Sequence, residues 1–129
     1  MDMVHLAVNG TLMQGLALNH HLLEVGATFV RETVTAPVYR LWSIHDQHPA
    51  MQRVTAGGAA LTLEIWAVPM AHLGTILLGE PAGLCIGKVL LADGSVVLGV
   101  LGEGWLCEGH REITTSGGWR GYSKQSRGL

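Results

Sequence analysis

The clearest hydrophobic pattern in the chain is the strict alternation of residues 61–68, which predicts a β-strand. Glu64 falls on the mixed face of this strand together with Trp66, and the pattern leaves open whether that face points inward or to solvent. Pro69 follows directly and suits the first position of a helix, which apolar spacing extends over residues 70–78. The opposite, apolar face of the strand is formed by Leu61, Leu63, Ile65 and Ala67.

Shorter patterns predict the remaining elements. Asn19 is a suitable cap for a short helix that ends at Gly26, while polar residues 45–50 predict a loop. Asp93-Gly94 is a strong hairpin signal between two apolar segments. This order of elements predicts an α+β domain whose strand count suits a small, partly closed β-barrel with short helices. Residues 5–12 start as a strand that ends at a glycine, and Gly10 and Gly15 bracket the loop that follows. The other predicted strands cover residues 27–35, 39–44, 88–91 and 96–101.

Composition supports a single folded domain. The chain has 129 residues, of which 48% are hydrophobic and 14% charged, and a disordered chain would reverse that balance. We place the domain at residues 1–122 and predict that the small and polar residues 123–129 form a flexible tail. The net charge of −2, with no basic stripe, argues against a nucleic-acid partner.

The sequence also predicts where the protein resides. Residues 1–8 contain no lysine or arginine, so they lack the basic region of a signal peptide. The longest apolar stretch is interrupted by Pro69 and His72 and is too short to cross a bilayer. We therefore expect a soluble cytoplasmic protein without membrane contact. Cys85 and Cys107 are expected to be small buried thiols, although a disulfide between them stays open.

Several common kinds of catalytic site have no signature here. The seven histidines form no HExxH motif and neither cysteine belongs to a CxxC motif, so we expect no metal and no cofactor. A serine nucleophile in a GxSxG turn is also missing. Cys107 and His110 are a conceivable nucleophile pair, but their spacing in a predicted loop is better explained by chance.

Glu80 is the candidate general acid/base. It lies in an apolar segment, residues 77–84, where a carboxyl group would be partly desolvated. Desolvation raises the pKa of a carboxyl group toward neutrality, where it exchanges protons efficiently. The alternative is an ordinary exposed glutamate at the end of a helix.

The segment that follows the first predicted strand is a candidate anion site. Residues 8–15 leave the strand through a glycine-containing turn, which can expose successive backbone N–H groups to a carboxylate. The lysine and the spacing of a phosphate-binding P-loop are absent. By itself this pattern has low specificity.

The chain as a whole resembles the C-terminal domain of allophanate hydrolase and, more widely, gamma-glutamylcyclotransferase-like proteins. The resemblance implies a small mixed, mostly antiparallel β-barrel with short helices, and covers residues 6–122. Its motifs are short, but their order and spacing are specific. They are Leu18-Asn19-His20-His21-Leu22, Gly26-Ala27, Thr35-Ala36-Pro37-Val38-Tyr39-Arg40-Leu41, Gly57-Gly58-Ala59-Ala60, Glu64-Ile65-Trp66-Ala67-Val68-Pro69, Gly83-Leu84-Cys85-Ile86-Gly87, Leu91-Ala92-Asp93-Gly94 and Ile113 through Gly117-Gly118-Trp119-Arg120.

Two positions depart from the allophanate hydrolase pattern. Leu12 stands where the first loop of those domains has a histidine, and Glu80 stands where they usually have an apolar residue. Gly10-Thr11-Leu12 instead resembles the anion-binding loop of cyclotransferases, although Asn9 replaces their tyrosine. Glu80 also matches the position of the cyclotransferase acid/base.

This resemblance implies a small-molecule enzyme that acts on an amide or carbamoyl compound bearing a carboxylate. Residues 9–12 and Tyr39 would bind the substrate, and Glu80 would be catalytic. One alternative is a role in the urea and allophanate pathway, by decarboxylation of a carbamoyl acid. Another is a non-catalytic module that assembles amidase subunits, which exposed Trp105 and Trp119 would favour. The macromolecular partner would be an amidase or a second copy of the chain.

Overall fold

The computed structural model describes residues 2–126. Within this range the chain forms short strands and helices joined by tight turns. The strands are β1 (Met3–Val8), β2 (Thr28–Val34), β3 (Tyr39–Ile44), β4 (His48–Arg53), β5 (Thr62–Pro69), β6 (Leu84–Leu90), β7 (Val96–Gly102) and β8 (Arg111–Glu112). The helices are α1 (Asn19–Glu24), α2 (Leu73–Leu78), α3 (Gly104–Cys107) and α4 (Trp119–Ser126), with single 3-10 turns at Met70–His72 and Thr114–Ser116.

The strands form two sheets, of which the larger is mixed and the smaller is antiparallel. The larger sheet has the order β2-β5-β1-β7-β6, in which only β1 and β7 run parallel. The smaller sheet has the order β4-β3-β8 and is antiparallel throughout. The predicted α+β class and the mostly antiparallel pairing are therefore confirmed.

The predicted barrel is not closed. The two edge strands of the larger sheet, β2 and β6, approach each other only beyond their ends, at an isolated bridge between Thr35 and Leu91. Two further backbone bonds span this seam, from Ala36 N–H to Leu90 O at 3.0 Å and from Ala92 N–H to Val34 O at 3.1 Å. Sheet twist brings these ends together but not the full lengths of the strands.

Residues 48–50 are a strand, so the prediction of a loop over residues 45–50 is wrong at its end. Pro49 suggested a break because it cannot donate a backbone hydrogen bond. β4 is an edge strand, where a missing donor costs little, and Pro49 pairs with Ser43 of β3. His45 and Asp46 form the tight turn, both with positive φ angles of 54° and 56°.

The C-terminal residues differ from the prediction as well. The domain boundary at residue 122 falls inside α4, which continues through residue 126. Trp119 and Tyr122 on this helix are buried in the main core. The last part of the predicted tail, residues 127–129, lies outside the described residues.

The main core contains residues of both sheets and of α1, α2 and α4. β5 is buried on both faces, which explains why Trp66 and Glu64 are as inaccessible as the apolar face. Leu22 of α1 and Ile76 of α2 are the buried anchors of these two helices. Between residues 2 and 126, none of the helices has the length and apolar character needed to cross a bilayer.

Leu22 and Leu23 allow a matched test of this packing. Leu22 is fully buried whereas its neighbour Leu23 is 57% exposed. Leu22→Ala should lower the free energy of unfolding by about 2–4 kcal/mol because it leaves a cavity. Leu23→Ala should change it by less than about 0.5 kcal/mol. Urea denaturation of both variants measures the difference, and equal losses would contradict the observed orientation of α1.

Candidate functional site

A small pocket opens where β1 ends. The loop after β1 forms one wall, the start of β4 forms another, and the segment between α2 and β6 closes the third. Glu80 thus shares one pocket with residues 9–12, the residues that the family resemblance implies for catalysis and binding. The lining residues are Val8, Asn9, Gly10, Thr11, Leu12, His48, Pro49, Glu80, Leu84 and Val100.

The loop of residues 10–12 has its carbonyl groups occupied and its N–H groups available. The carbonyl oxygen of Gly10 accepts from Met13 N–H at 3.0 Å, and that of Thr11 accepts from Leu18 N–H at 2.9 Å. The carbonyl oxygen of Leu12 accepts from the side-chain amide of Asn19 at 2.8 Å. Within residues 2–126, no acceptor is found for the N–H groups of Gly10, Thr11 or Leu12. Such an arrangement favours an anion.

Side chains explain why this loop presents its backbone. The side chain of Leu12 is buried in the main core and anchors the loop there. Gly10 packs against the ring of Pro49, where an added Cβ would lie 2.6 Å from Cδ. Any larger residue at position 10 would displace β4, so Gly10→Val would disturb the fold as well as ligand binding.

Glu80 lines the same pocket as residues 10–12. Its Oε2 atom is buried and has no hydrogen-bond partner among the described residues. Burial raises the pKa of this carboxyl group to about 7, from a usual value of 4.5. A carboxyl group with this pKa is present in both protonation states near neutral pH, which a general acid/base requires.

His48 is a pocket residue that the sequence did not reveal. It is buried, and its Nδ1 lies 3.1 Å from the carbonyl oxygen of Pro49. Because a carbonyl oxygen only accepts, Nδ1 carries a hydrogen and donates it to Pro49. Residues 45–50 are predicted to be a loop, so no sequence signal places His48 near residue 10. A prediction of β4 as an edge strand that includes Pro49 would have placed His48 beside residue 10.

Two predicted binding residues have structural partners. The hydroxyl of Tyr39 accepts a hydrogen bond from Leu90 N–H at 2.9 Å, and Tyr39 is fully buried away from the pocket. Asn9 does line the pocket, but its amide nitrogen donates to the carbonyl oxygen of Val100 at 2.9 Å. Tyr39 thus links β3 to the end of β6, and Asn9 links the end of β1 to β7.

The pocket is narrow. Its cavity of about 10 Å³ is close to the smallest space that holds one water molecule. A cavity of this size holds one small polar group, such as a carboxyl oxygen.

The other candidate groups do not form a site. The structure describes no cluster of three or more His, Cys, Asp or Glu side chains with the geometry to hold a metal ion. Cys85 and Cys107 are both free, which answers the open question of a disulfide. Burial raises the pKa of the Cys107 thiol to about 11, so a thiolate paired with His110 is disfavoured.

Comparison with solved structures first gives the class of fold. An AIG2-like protein from Mus musculus superimposes with a TM-score of 0.60 at 19% identity, over 80% of this chain and 78% of that one. The fold is that of gamma-glutamylcyclotransferase-like proteins. The sequence then gives the family: residues 4–124 match the allophanate hydrolase C-terminal domain, and the chain belongs to that family.

Relatives of this family occur in chains of very different length. Urea amidolyase from Saccharomyces cerevisiae is 32% identical over 92% of this chain, which spans only 7% of that protein. Allophanate hydrolase from Kluyveromyces lactis has a TM-score of 0.91 at 29% identity over 98% of this chain and 22% of its own. A uropathogenic E. coli-specific protein has a TM-score of 0.95 at 56% identity, with 96% and 98% of the two chains covered.

The buried carboxyl group of Glu80 predicts a characteristic pH dependence of stability. The pKa of Glu80 is 4.5 in the unfolded chain and about 7 in the folded one. The contribution of Glu80 to the free energy of unfolding is therefore fully present below pH 4.5 and is lost as the pH rises through 7. Glu80→Gln removes this loss. The variant should gain up to about 3 kcal/mol relative to the wild type between about pH 4 and pH 8. Urea titrations across this range measure the difference in free energy of unfolding between the variant and the wild type. A difference that does not change with pH would refute the desolvated carboxyl group.

Tyr39→Phe tests the structural role of the buried hydroxyl. The variant leaves Leu90 N–H without its acceptor and should lower the free energy of unfolding by about 1–2 kcal/mol. The affinity for oxamate, a stable amide that bears a carboxylate, should stay unchanged because Tyr39 does not line the pocket. Urea denaturation and calorimetric titration measure the two effects separately. A loss of affinity without a loss of stability would restore Tyr39 as a binding residue.

Proposed function

We propose that the protein is a small-molecule enzyme that acts on an amide or carbamoyl compound bearing a carboxylate, with Glu80 as general acid/base. The observation that carries this proposal is the unpartnered carboxyl oxygen of Glu80, which shares a narrow pocket with three available N–H groups of residues 10–12. Membership of the allophanate hydrolase C-terminal domain family is consistent with chemistry on a compound of this kind.

The first step is binding of the substrate carboxylate. Its oxygens accept hydrogen bonds from the N–H groups of Gly10, Thr11 and Leu12, which are held in place by the occupied carbonyls of the same residues. Backbone donors fixed before binding lose little conformational entropy when the anion arrives. The remainder of the substrate lies at the mouth of the pocket, beside Glu80.

The second step is proton transfer through Glu80. In the cyclotransferase form of the reaction, an amine of the substrate attacks its own amide carbon and loses a proton to the ionised carboxylate of Glu80. The carbon–nitrogen bond to the leaving amine then breaks, and Glu80 returns the proton to that amine. The products are a cyclic amide and a free amine. Positioning of the substrate and one acid/base group account for the acceleration.

A second candidate is conversion of a carbamoyl acid, as the names allophanate hydrolase and urea amidolyase suggest for relatives of this family. The narrow cavity favours it, because a carbamoyl acid is smaller than a γ-glutamyl amine. Leu12 argues for a different proton donor from the family's histidine, and Glu80 is the group available in this pocket.

A third candidate is a module that assembles amidase subunits. Trp105 is 57% exposed and Leu78 is 88% exposed, which favours an interaction surface, whereas Trp119 is buried. The long relatives, in which this domain is a small part, make an amidase partner reasonable.

An NMR titration distinguishes these functions. Oxamate, a stable amide that bears a carboxylate, is added to labelled protein up to millimolar concentration, in parallel with 5-oxoproline. The amide signals of Gly10, Thr11 and Leu12 should shift on saturation because their N–H groups bind the carboxylate. Turnover of γ-glutamyl amines and of carbamoyl acids is then assayed in wild type and Glu80→Gln. The variant should lose at least about a hundredfold in turnover and still bind oxamate.

Glu108→Gln, which removes an exposed carboxyl group outside the pocket, is the control and should turn over substrate normally. Turnover of only one substrate class selects between the first two candidates. If neither acid shifts the three amide signals and an amidase subunit co-purifies with the protein, the enzyme proposal fails and the module replaces it.

A further inference from the structure

We propose that Arg120 and Glu64 are positioning residues that hold the anion-binding loop in shape from outside the pocket. This inference rests on the proposed function, since it concerns the same loop. Neither residue lines the pocket, and they come from distant parts of the chain, β5 and α4. Both nevertheless bond to Gln14, two residues beyond the last of the available N–H groups.

The contact holds both backbone groups of Gln14. Its N–H donates to Oε1 of Glu64 at 2.9 Å, and its carbonyl oxygen accepts from an Nη2 hydrogen of Arg120 at 3.0 Å. The same guanidinium nitrogen lies 3.1 Å from Oε2 of Glu64, which closes the triangle. We call these three interactions the Gln14 clamp.

The Gln14 clamp restrains the far end of the loop, and another contact restrains the near end. Asn9 ties the start of the loop to β7 through the carbonyl oxygen of Val100. Gln14 itself is exposed, so its side chain adds little packing of its own. The direction of the N–H groups at residues 10–12 therefore depends on an anchor at each end of the segment.

Burial makes the clamp rigid. The side chain of Glu64 is only 4% exposed, and its Oε1 also accepts from Nε1 of Trp66 at 3.1 Å. A buried carboxylate with three donors has little freedom to move, because every displacement breaks a charge-assisted bond. Arg120 is more accessible, at 39%, and belongs to α4. The position of α4 is thereby coupled to the shape of the loop.

Arg40 provides a matched control. It also binds one carboxylate and one backbone carbonyl, with Nη1 3.7 Å from Oε1 of Glu112 and Nε 3.2 Å from Gly57 O. Its side chain is 34% exposed, close to that of Arg120. Arg40 lies on β3, outside the pocket and the clamp.

The test compares Arg120→Met, Arg120→Lys and Arg40→Met by hydrogen exchange without ligand and by oxamate titration. The reporters of loop shape are the N–H groups of Met13 and Leu18, which donate to the carbonyls of Gly10 and Thr11. In Arg120→Met their exchange should accelerate by about tenfold relative to the wild type, and oxamate affinity should fall by about fivefold or more. Arg120→Lys should restore part of both, and Arg40→Met should change neither.

The outcomes separate the clamp from the proposed function. Unchanged exchange at Met13 and Leu18 in Arg120→Met overturns the clamp, whatever oxamate does. Faster exchange with unchanged oxamate affinity overturns the positioning role, as does an equal loss of affinity in Arg40→Met. If the wild type binds neither oxamate nor 5-oxoproline, the proposed function fails, while the exchange data still decide whether Arg120 holds the loop. Should Arg120→Met not fold, the same criteria apply to Arg120→Lys.

Discussion

The buried carboxylate of Glu64 is the interaction on which the arrangement of this domain depends. Removing a carboxylate from water costs several kcal/mol unless hydrogen bonds and an opposite charge compensate for it. Here the compensation comes from the first loop, from β5 itself and from α4, through Gln14, Trp66 and Arg120. The charge is satisfied only when these three parts of the chain are assembled around it.

The two notable carboxyl groups of the protein differ because their surroundings differ. Glu64 has a donor for each oxygen and a guanidinium group beside it, which suits a structural role. Glu80 has a buried oxygen without a partner and a pKa raised to about 7 by burial. A desolvated carboxyl group with a raised pKa is a common general acid/base in enzymes.

Relatives of this family contain the domain either as almost the whole chain or as a small part of a long one. The chain matches 7% of a yeast urea amidolyase and 98% of a solved uropathogenic E. coli-specific chain. Its pocket is built by one domain, from the loop after β1, the start of β4 and the segment after α2. The exposed Trp105 lies on α3, outside the pocket lining.

Local sequence patterns by themselves determined much of this protein. Alternation predicted β5, Asp93-Gly94 predicted the hairpin, and the family resemblance brought Glu80 and residues 10–12 together. Only the tertiary structure showed that β4 begins at residue 48, that Tyr39 serves a backbone N–H and that Glu64 is paired. The reason is distance along the chain: the hydroxyl of Tyr39 meets a partner 51 residues away, and Glu64 meets Arg120 across 56 residues. Periodicity reports which face of an element is apolar, whereas the partner of a buried polar group is decided when distant segments pack together.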